Sequence, residues 1–284
     1  METAFAISLD ALSFILALLL VTLGLVVIYG LMNVINMAHG ELFLVGAYTL
    51  VAVQRAGGSF WLGVILAPLV VALLGFLIEE LVIRHVYSRA IDTILATWGI
   101  SISLKQGIII LFGPAAISVP NPIPGTFLLL GFEYPSYRLF IMGVSALLAA
   151  ATYFAIYTTP VGLQIRGVIA NRAMAGSLGI NTRLMDRATF AFGAGLAGIA
   201  GAVMAPIMSV DPQMGVGFLI PAFLAVLVGG LSSLAGAIFG AAIIGGATTT
   251  LANFMSQAIA QIAVFAMAII IIRVFPTGIS GRGR

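Results

Sequence analysis

Between Asn33 and Glu41 the sequence reads Asn-Val-Ile-Asn-Met-Ala-His-Gly-Glu, with four polar side chains (Asn33, Asn36, His39 and Glu41) set between strongly apolar stretches. Ionisable groups at mid-bilayer cost roughly 2.5–3.5 kcal/mol each on insertion scales, so they line a cavity or pair with something. Two readings fit the spacing. In one, a helix breaks here and the four side chains line or brace a polar pathway. In the other, a short interfacial turn joins two spans, and the polar groups are solvated or cap a helix starting at Leu42.

A second polar stretch holds Arg166, Arg172, Arg183 and Arg187 with a single acid, Asp186. Within it, Asn171 to Ile180 reads as a short amphipathic helix stopped by Gly179. Small residues at Ala173, Ala175, Gly176 and Ser177 let such a helix seat in a groove on another protein. Alternatively it lies on the membrane surface, where Arg172 meets lipid phosphate. The balance of residues favours docking.

Other chemistries are excluded or reinterpreted. The one lysine, Lys105, precedes Gln106, so no Gly-Lys-Ser/Thr nucleotide loop exists. His39 and His85 are the only histidines and there is no cysteine, which argues against a metal site, a disulfide or a thiol nucleophile. No catalytic set is recognisable. Gly193, Gly195 and Gly198 spell G-x-G-x-x-G, but inside an apolar window rather than after a strand. Small residues at Gly193, Ala197 and Gly201, and again at Gly236 and Gly240, instead form flat faces for close helix packing.

The elements that position these residues must be membrane helices. Of 284 residues, 62% are hydrophobic and 7% charged, with a mean hydropathy of +1.21; a soluble domain carries about 25% charged residues. Lipid is the solvent in which apolar side chains can face outward all round. A span needs about 20 apolar residues. Windows occur at Ala11–Met32, Leu42–Gln54, Phe60–Ile78, Thr93–Phe112, Leu139–Thr159 and Ala188–Met208, followed by a charge-free run from Pro212 to Ile272. Gly229, Gly230, Ser232, Ser233 and Gly236 break that run, which reads as a half-helix that enters and returns, then two full spans. Asp211-Pro212 reads as the loop before it, since Pro212 cannot continue a helix.

The expected fold is an all-α polytopic membrane protein of about eight hydrophobic segments, one or two of them discontinuous or re-entrant. It forms one domain over 1–284, with 160–187 as a cytoplasmic loop. Clusters at Arg84/Arg89, Arg166–Arg187 and Arg273–Arg284 mark the cytoplasmic side. The proline-rich segment Gly113–Arg138 and the N-terminus then face outward. Met1–Asp10 has no basic n-region, so the first window is expected to be a retained span. Glu79 and Glu80 are expected to pair with the Arg84/Arg89 turn, Lys105 to snorkel, and Trp61 and Trp98 to anchor at interfaces. The net charge of +3 fits basic loops and gives no case for nucleic-acid binding.

Gly30 to Glu41 (Gly-Leu-Met-Asn-Val-Ile-Asn-Met-Ala-His-Gly-Glu) resembles the N-terminal signature of LivH-type branched-chain amino acid ABC permeases. Thr159–Arg166, continuing through Asn171-Arg172 to Ile180, is similar to that family's cytoplasmic coupling region. Phe223–Ala237 resembles its glycine block, and Pro276-Thr277-Gly278 its closing motif, with the arginine displaced to Arg273. The resemblance covers nearly the whole chain. It implies a multi-pass bacterial inner-membrane permease that pairs with a second, LivM-like permease. Two cytoplasmic ATPase subunits, which use ATP and Mg, and an extracytoplasmic or periplasmic substrate-binding protein complete the implied assembly. No cofactor is implied for this chain itself. The resemblance places ATPase coupling at Arg166, Asn171, Arg172, Ala175, Gly176 and Gly179, and tips Asn33, Asn36, His39 and Glu41 towards the pathway.

Ile91–Ser101 looks more like the urea and short-amide branch, whereas the glycine block leans to amino acid permeases. Sparse charge within the spans suits a neutral or zwitterionic solute. The rivals are an ion-coupled carrier, for which only Glu41 is a candidate acid, and a passive channel.

Overall fold

The computed structural model describes residues 2–280 except 88, 130, 131 and 232. Ser232 of the glycine block, and Arg282 and Arg284 of the basic end, lie outside the described residues. The elements run α1 (Glu2–Met32), α2 (His39–Arg55), α3 (Phe60–Leu81), α4 (Ala90–Phe112), β1 (Thr126–Leu129), β2 (Phe132–Pro135), α5 (Ser136–Thr158), α6 (Pro160–Ala170), α7 (Arg172–Ser177), α8 (Thr182–Met204), α9 (Met214–Gly229), α10 (Leu234–Ala252) and α11 (Gln257–Val274). Seven helices (α1, α3, α4, α5, α8, α10 and α11) are long and apolar enough to cross a membrane. α2 and α9 are shorter, at 17 and 16 residues.

α1 and α8 occupy the centre, and α2 is wedged between α8 and α3. α4, α5 and α11 are peripheral and turn Ile110, Leu111, Leu147, Phe154, Ile262 and Ile270 outward. In water such faces would be aggregation sites; against lipid they sit in their proper solvent. The central helices approach by glycine. A Cβ on Gly46 of α2 would lie 2.6 Å from the Gly198 Cα of α8, and one on Gly193 would lie 2.7 Å from Ile28 Cγ1 of α1. Gly201 faces the Phe43 carbonyl, Gly240 faces Ala225, Gly236 faces Gly229, and Ala197 is fully buried. With no transfer of apolar area from water to hold spans together, such close contact is their principal cohesion.

Two ends can be distinguished. At one, Asp10 pairs with Arg138, and β1 and β2 form a two-stranded antiparallel hairpin. At the other, Glu80 of α3 meets Arg84, Arg183 and Arg187. The Arg84 pairing is local, and the other two reach across to α8. Lys105 reaches Gln213 at 3.4 Å, and Trp61 and Trp98 are about half exposed.

The structure changes four details of the sequence reading. The Gly113–Arg138 segment contains the hairpin, and Ile117 bridges to Val210 (2.9 Å). α9 runs as one short helix to Gly229: Val228 accepts a hydrogen bond from Ile279 N (2.9 Å) and Gly229 from Ser280 N (3.2 Å), so α9 ends beside the tail that follows α11. α2 begins at His39 rather than Leu42, which brings His39 and Glu41 inside the helix. The polar interval ends at Asn181, whose side chain caps α8 through Leu184 N (3.0 Å), so Arg183, Asp186 and Arg187 belong to α8.

Candidate coupling site and broken span

α1 stops at Asn33, the one non-glycine residue with positive φ (+52°) among those described. Asn tolerates this left-handed conformation, and its N–H closes the helix on Tyr29 O (2.7 Å). Residues 33–36 are non-helical, so their backbone groups need partners inside the bundle. Just beyond them Thr97 of α4 supplies one, its hydroxyl accepting from Met37 N at 3.2 Å. Asn36 Oδ1 accepts from Ala38 N at 3.1 Å and turns the chain into α2. His39 places Nε2 3.1 Å from Val21 O; a carbonyl only accepts, so Nε2 carries the proton. Gly24 makes room, since a Cβ there would lie 3.0 Å from His39 Cε1. Buried Ser101 of α4 faces the Glu41 carboxylate.

Asn36, His39 and Glu41 are therefore gathered inside the subunit, whereas Asn33 is exposed. Asn36 Nδ2, His39 Nδ1 and Glu41 Oε2 are buried without a hydrogen-bond partner. Buried polar atoms are seldom left so, and three within six residues mark a break maintained against stability. Thr97 and Ser101 escaped sequence reasoning. The available signal was Thr93, Thr97 and Ser101 recurring every four residues on a helix otherwise turned outward, and all three are buried.

At the arginine-rich end the chain bends twice between α5 and α8. Thr159 caps α6 through Gly162 N (3.0 Å), with Pro160 as its first residue. Asn171 caps α7 through Met174 N (3.0 Å), and Gly179 at φ +84° permits the turn away from it. Arg172 grips Asp186 of α8 with both guanidinium nitrogens, at 2.7 and 2.6 Å. This fork-to-fork geometry fixes orientation as well as distance, and the hydrogen bonds to Asp186 hold Arg172 above its usual pKa. The Asp186 side chain is 3% exposed and that of Arg172 is 45%. Behind it, Tyr87 donates to buried Glu79, and Arg187 lies 3.7 Å from the same carboxylate. Burial, then the Glu79 hydrogen bond, push the Tyr87 hydroxyl far up, so it remains a donor.

Of the six coupling residues read from the sequence, Arg172 and Ala175 face the protein, Ala175 being buried. Asn171 and Gly179 shape the elbow. Arg166 stacks 5.4 Å above Tyr157, and Gly176 has nothing within 4 Å of its Cβ position. The outward apolar side chains are Met174 and Leu178, at 61% and 75% exposure. Asp186, Tyr87 and Glu79 were missed as parts of this site, although one acid among four arginines was a visible cue.

A bundle of lipid-facing helices with a broken span and a braced elbow at one end defines a multi-pass membrane protein. The chain belongs to the family described as branched-chain amino acid transport system permease component, whose model matches residues 7–273. It is 28% identical to the high-affinity branched-chain amino acid transport system permease protein LivH of Salmonella typhimurium, over 93% of this chain and 91% of that one. BraD of Pseudomonas aeruginosa, a permease protein of the same description, matches with the same identity and coverage. The probable LivH of Methanocaldococcus jannaschii is 26% identical over 85% of this chain and 79% of its own. No solved structure matches the chain.

Proposed function

We propose that the chain is the membrane-spanning subunit of an ATP-driven importer of branched-chain amino acids in the bacterial inner membrane. It works by alternating access beside a second, related permease. The observation that carries this reading is the mounting of α7: a six-residue helix at the arginine-rich end, clamped by a bidentate ion pair to a central span while Met174 and Leu178 point away. A clamp of this kind transmits a push from outside to α8 and, through the glycine contacts of α8, to α2 and its non-helical approach. The chain has no Gly-Lys-Ser/Thr loop, so the push comes from separate ATPase subunits. The concentration of positive residues around α7 supports a cytoplasmic α7 with the hairpin opposite, where a binding protein would deliver the solute. The relatives' description as branched-chain amino acid permeases supports that substrate class, and the few charges within the spans suit a zwitterion.

Co-expression with the companion genes and affinity purification tests the assignment. ATPase chains should be recovered with the wild type and lost with the double variant M174D/L178D, while insertion and monodispersity are retained. Equal recovery with the double variant contradicts the role given to α7.

A further inference from the structure

Two adjoining cavities lie at the hairpin end, one of about 430 Å³ and one of about 900 Å³. Both volumes fall in the range of about 300–1,000 Å³ common for small-molecule sites. The smaller is the more polar of the two, walled in part by Asp10, Ser13, Arg138, Thr249 and Asn253. The larger is apolar, walled by Met208, Met214, Phe218, Leu224 and Phe265. Phe14, Met204, Thr248 and Gln257 line both, so the two are compartments of one space between α1, α8, α9, α10 and α11.

The polar compartment presents one acid and one base side by side. Asp10 and Arg138 are ion-paired, yet their side chains remain 44% and 39% exposed. Buried Tyr134 steadies Asp10, with its hydroxyl 3.2 Å from both Asp10 Oδ1 and Leu9 O. A charged pair held open at the mouth of an apolar pocket complements a molecule with both charges at one end and hydrocarbon at the other. The geometry points to a binding site for a zwitterionic amino acid with a bulky aliphatic side chain. Its carboxylate would lie on Arg138, its ammonium on Asp10, and its side chain among Phe14, Met208 and Phe218. Methionine and phenylalanine walls adapt to branched aliphatic shapes. Urea and short amides have neither the two charges nor the hydrocarbon to fill the second compartment.

This inference rests on the importer reading and deepens it by assigning where the solute binds. Uptake of radiolabelled leucine by proteoliposomes holding the complete complex provides the test, with Tm recorded for every variant. In R138Q the KM for leucine should rise about tenfold or more, the loss expected for a hydrogen bond to a charged group, and R138K should recover part of it. Q257W, which fills the junction between the compartments, should abolish leucine uptake while glycine uptake persists. If the Tm of R138Q shows that it is misfolded, Q257W alone decides. Wild-type leucine transport with unchanged KM in the folded variants overturns the site and leaves the importer reading standing. A wild-type complex that moves urea and not leucine overturns both the solute class and the site. Failure of the wild-type complex to use ATP for any uptake overturns the importer reading, and the site with it.

Discussion

Asp186 sits at a junction where one carboxylate determines how a surface helix is held. It accepts both arms of Arg172, and its own side chain is almost entirely buried. Removing it leaves Arg172 without an anchor, although the exposed guanidinium can turn to water. Asp186→Ala should therefore cost about 1–3 kcal/mol rather than the larger penalty of a fully buried pair. The more telling readout is coupling: ATP hydrolysis by the complex should continue while uptake per ATP falls, as measured by simultaneous phosphate release and leucine accumulation. Retained uptake per ATP in the variant would refute the clamp. Much of this was legible in the sequence, where Asp186 is the only acid among four arginines. Arg172 was harder to read, because a basic residue on a short loop helix reaches outward to a partner as readily as inward to a buried acid. His39 is a stronger case: its partner is the Val21 carbonyl, a backbone group that no residue identity announces.

At the scale of elements, the packing of α2 and α8 depends on hydrogens where other helices have side chains. Gly46→Ala would drive a methyl group into the backbone of Gly198 and force the two helices apart, costing about 1–3 kcal/mol for an overpacked contact. Gly107→Ala on α4 meets nothing within 4 Å and should be neutral or stabilising by up to about 1 kcal/mol. Thermal unfolding of both variants in detergent checks the contrast, and equal Tm values would contradict it. The helical periodicity of small residues at Gly193, Ala197 and Gly201 was visible as a flat face, but not which helix it met. The charge-free run after Pro212 announced a break, yet the end of α9 is pinned by hydrogen bonds from the tail at Ile279 and Ser280, some fifty residues away. The hairpin was hidden by five prolines, which drew attention to irregular chain and away from Thr126–Leu129 and Phe132–Pro135.

The proposed mechanism gives the whole molecule three working parts along its length: an elbow at the arginine-rich end, a broken span in the middle, and a paired acid and base at the hairpin end. The broken span is the joint. Its extended segment leans on Thr97, so Thr97→Val should remove the partner of Met37 N and destabilise the approach to α2 by about 1–3 kcal/mol. Amide exchange over residues 33–38 should quicken, with no change at the elbow; unchanged exchange there would dissociate Thr97 from the joint. Composition alone made the lipid environment and the helical class plain, because so few charges cannot cover a soluble surface. How the three parts communicate lay beyond composition, since it depends on contacts between residues distant in sequence.

In the proposed importer the chain draws its energy from separate ATPase subunits. Leucine accumulation in proteoliposomes, comparing the chain alone with the complete complex loaded with ATP, tests this directly. Accumulation above the external concentration is predicted only with the ATPase subunits and ATP present; the same accumulation by the chain alone, driven by an ion gradient, would contradict it.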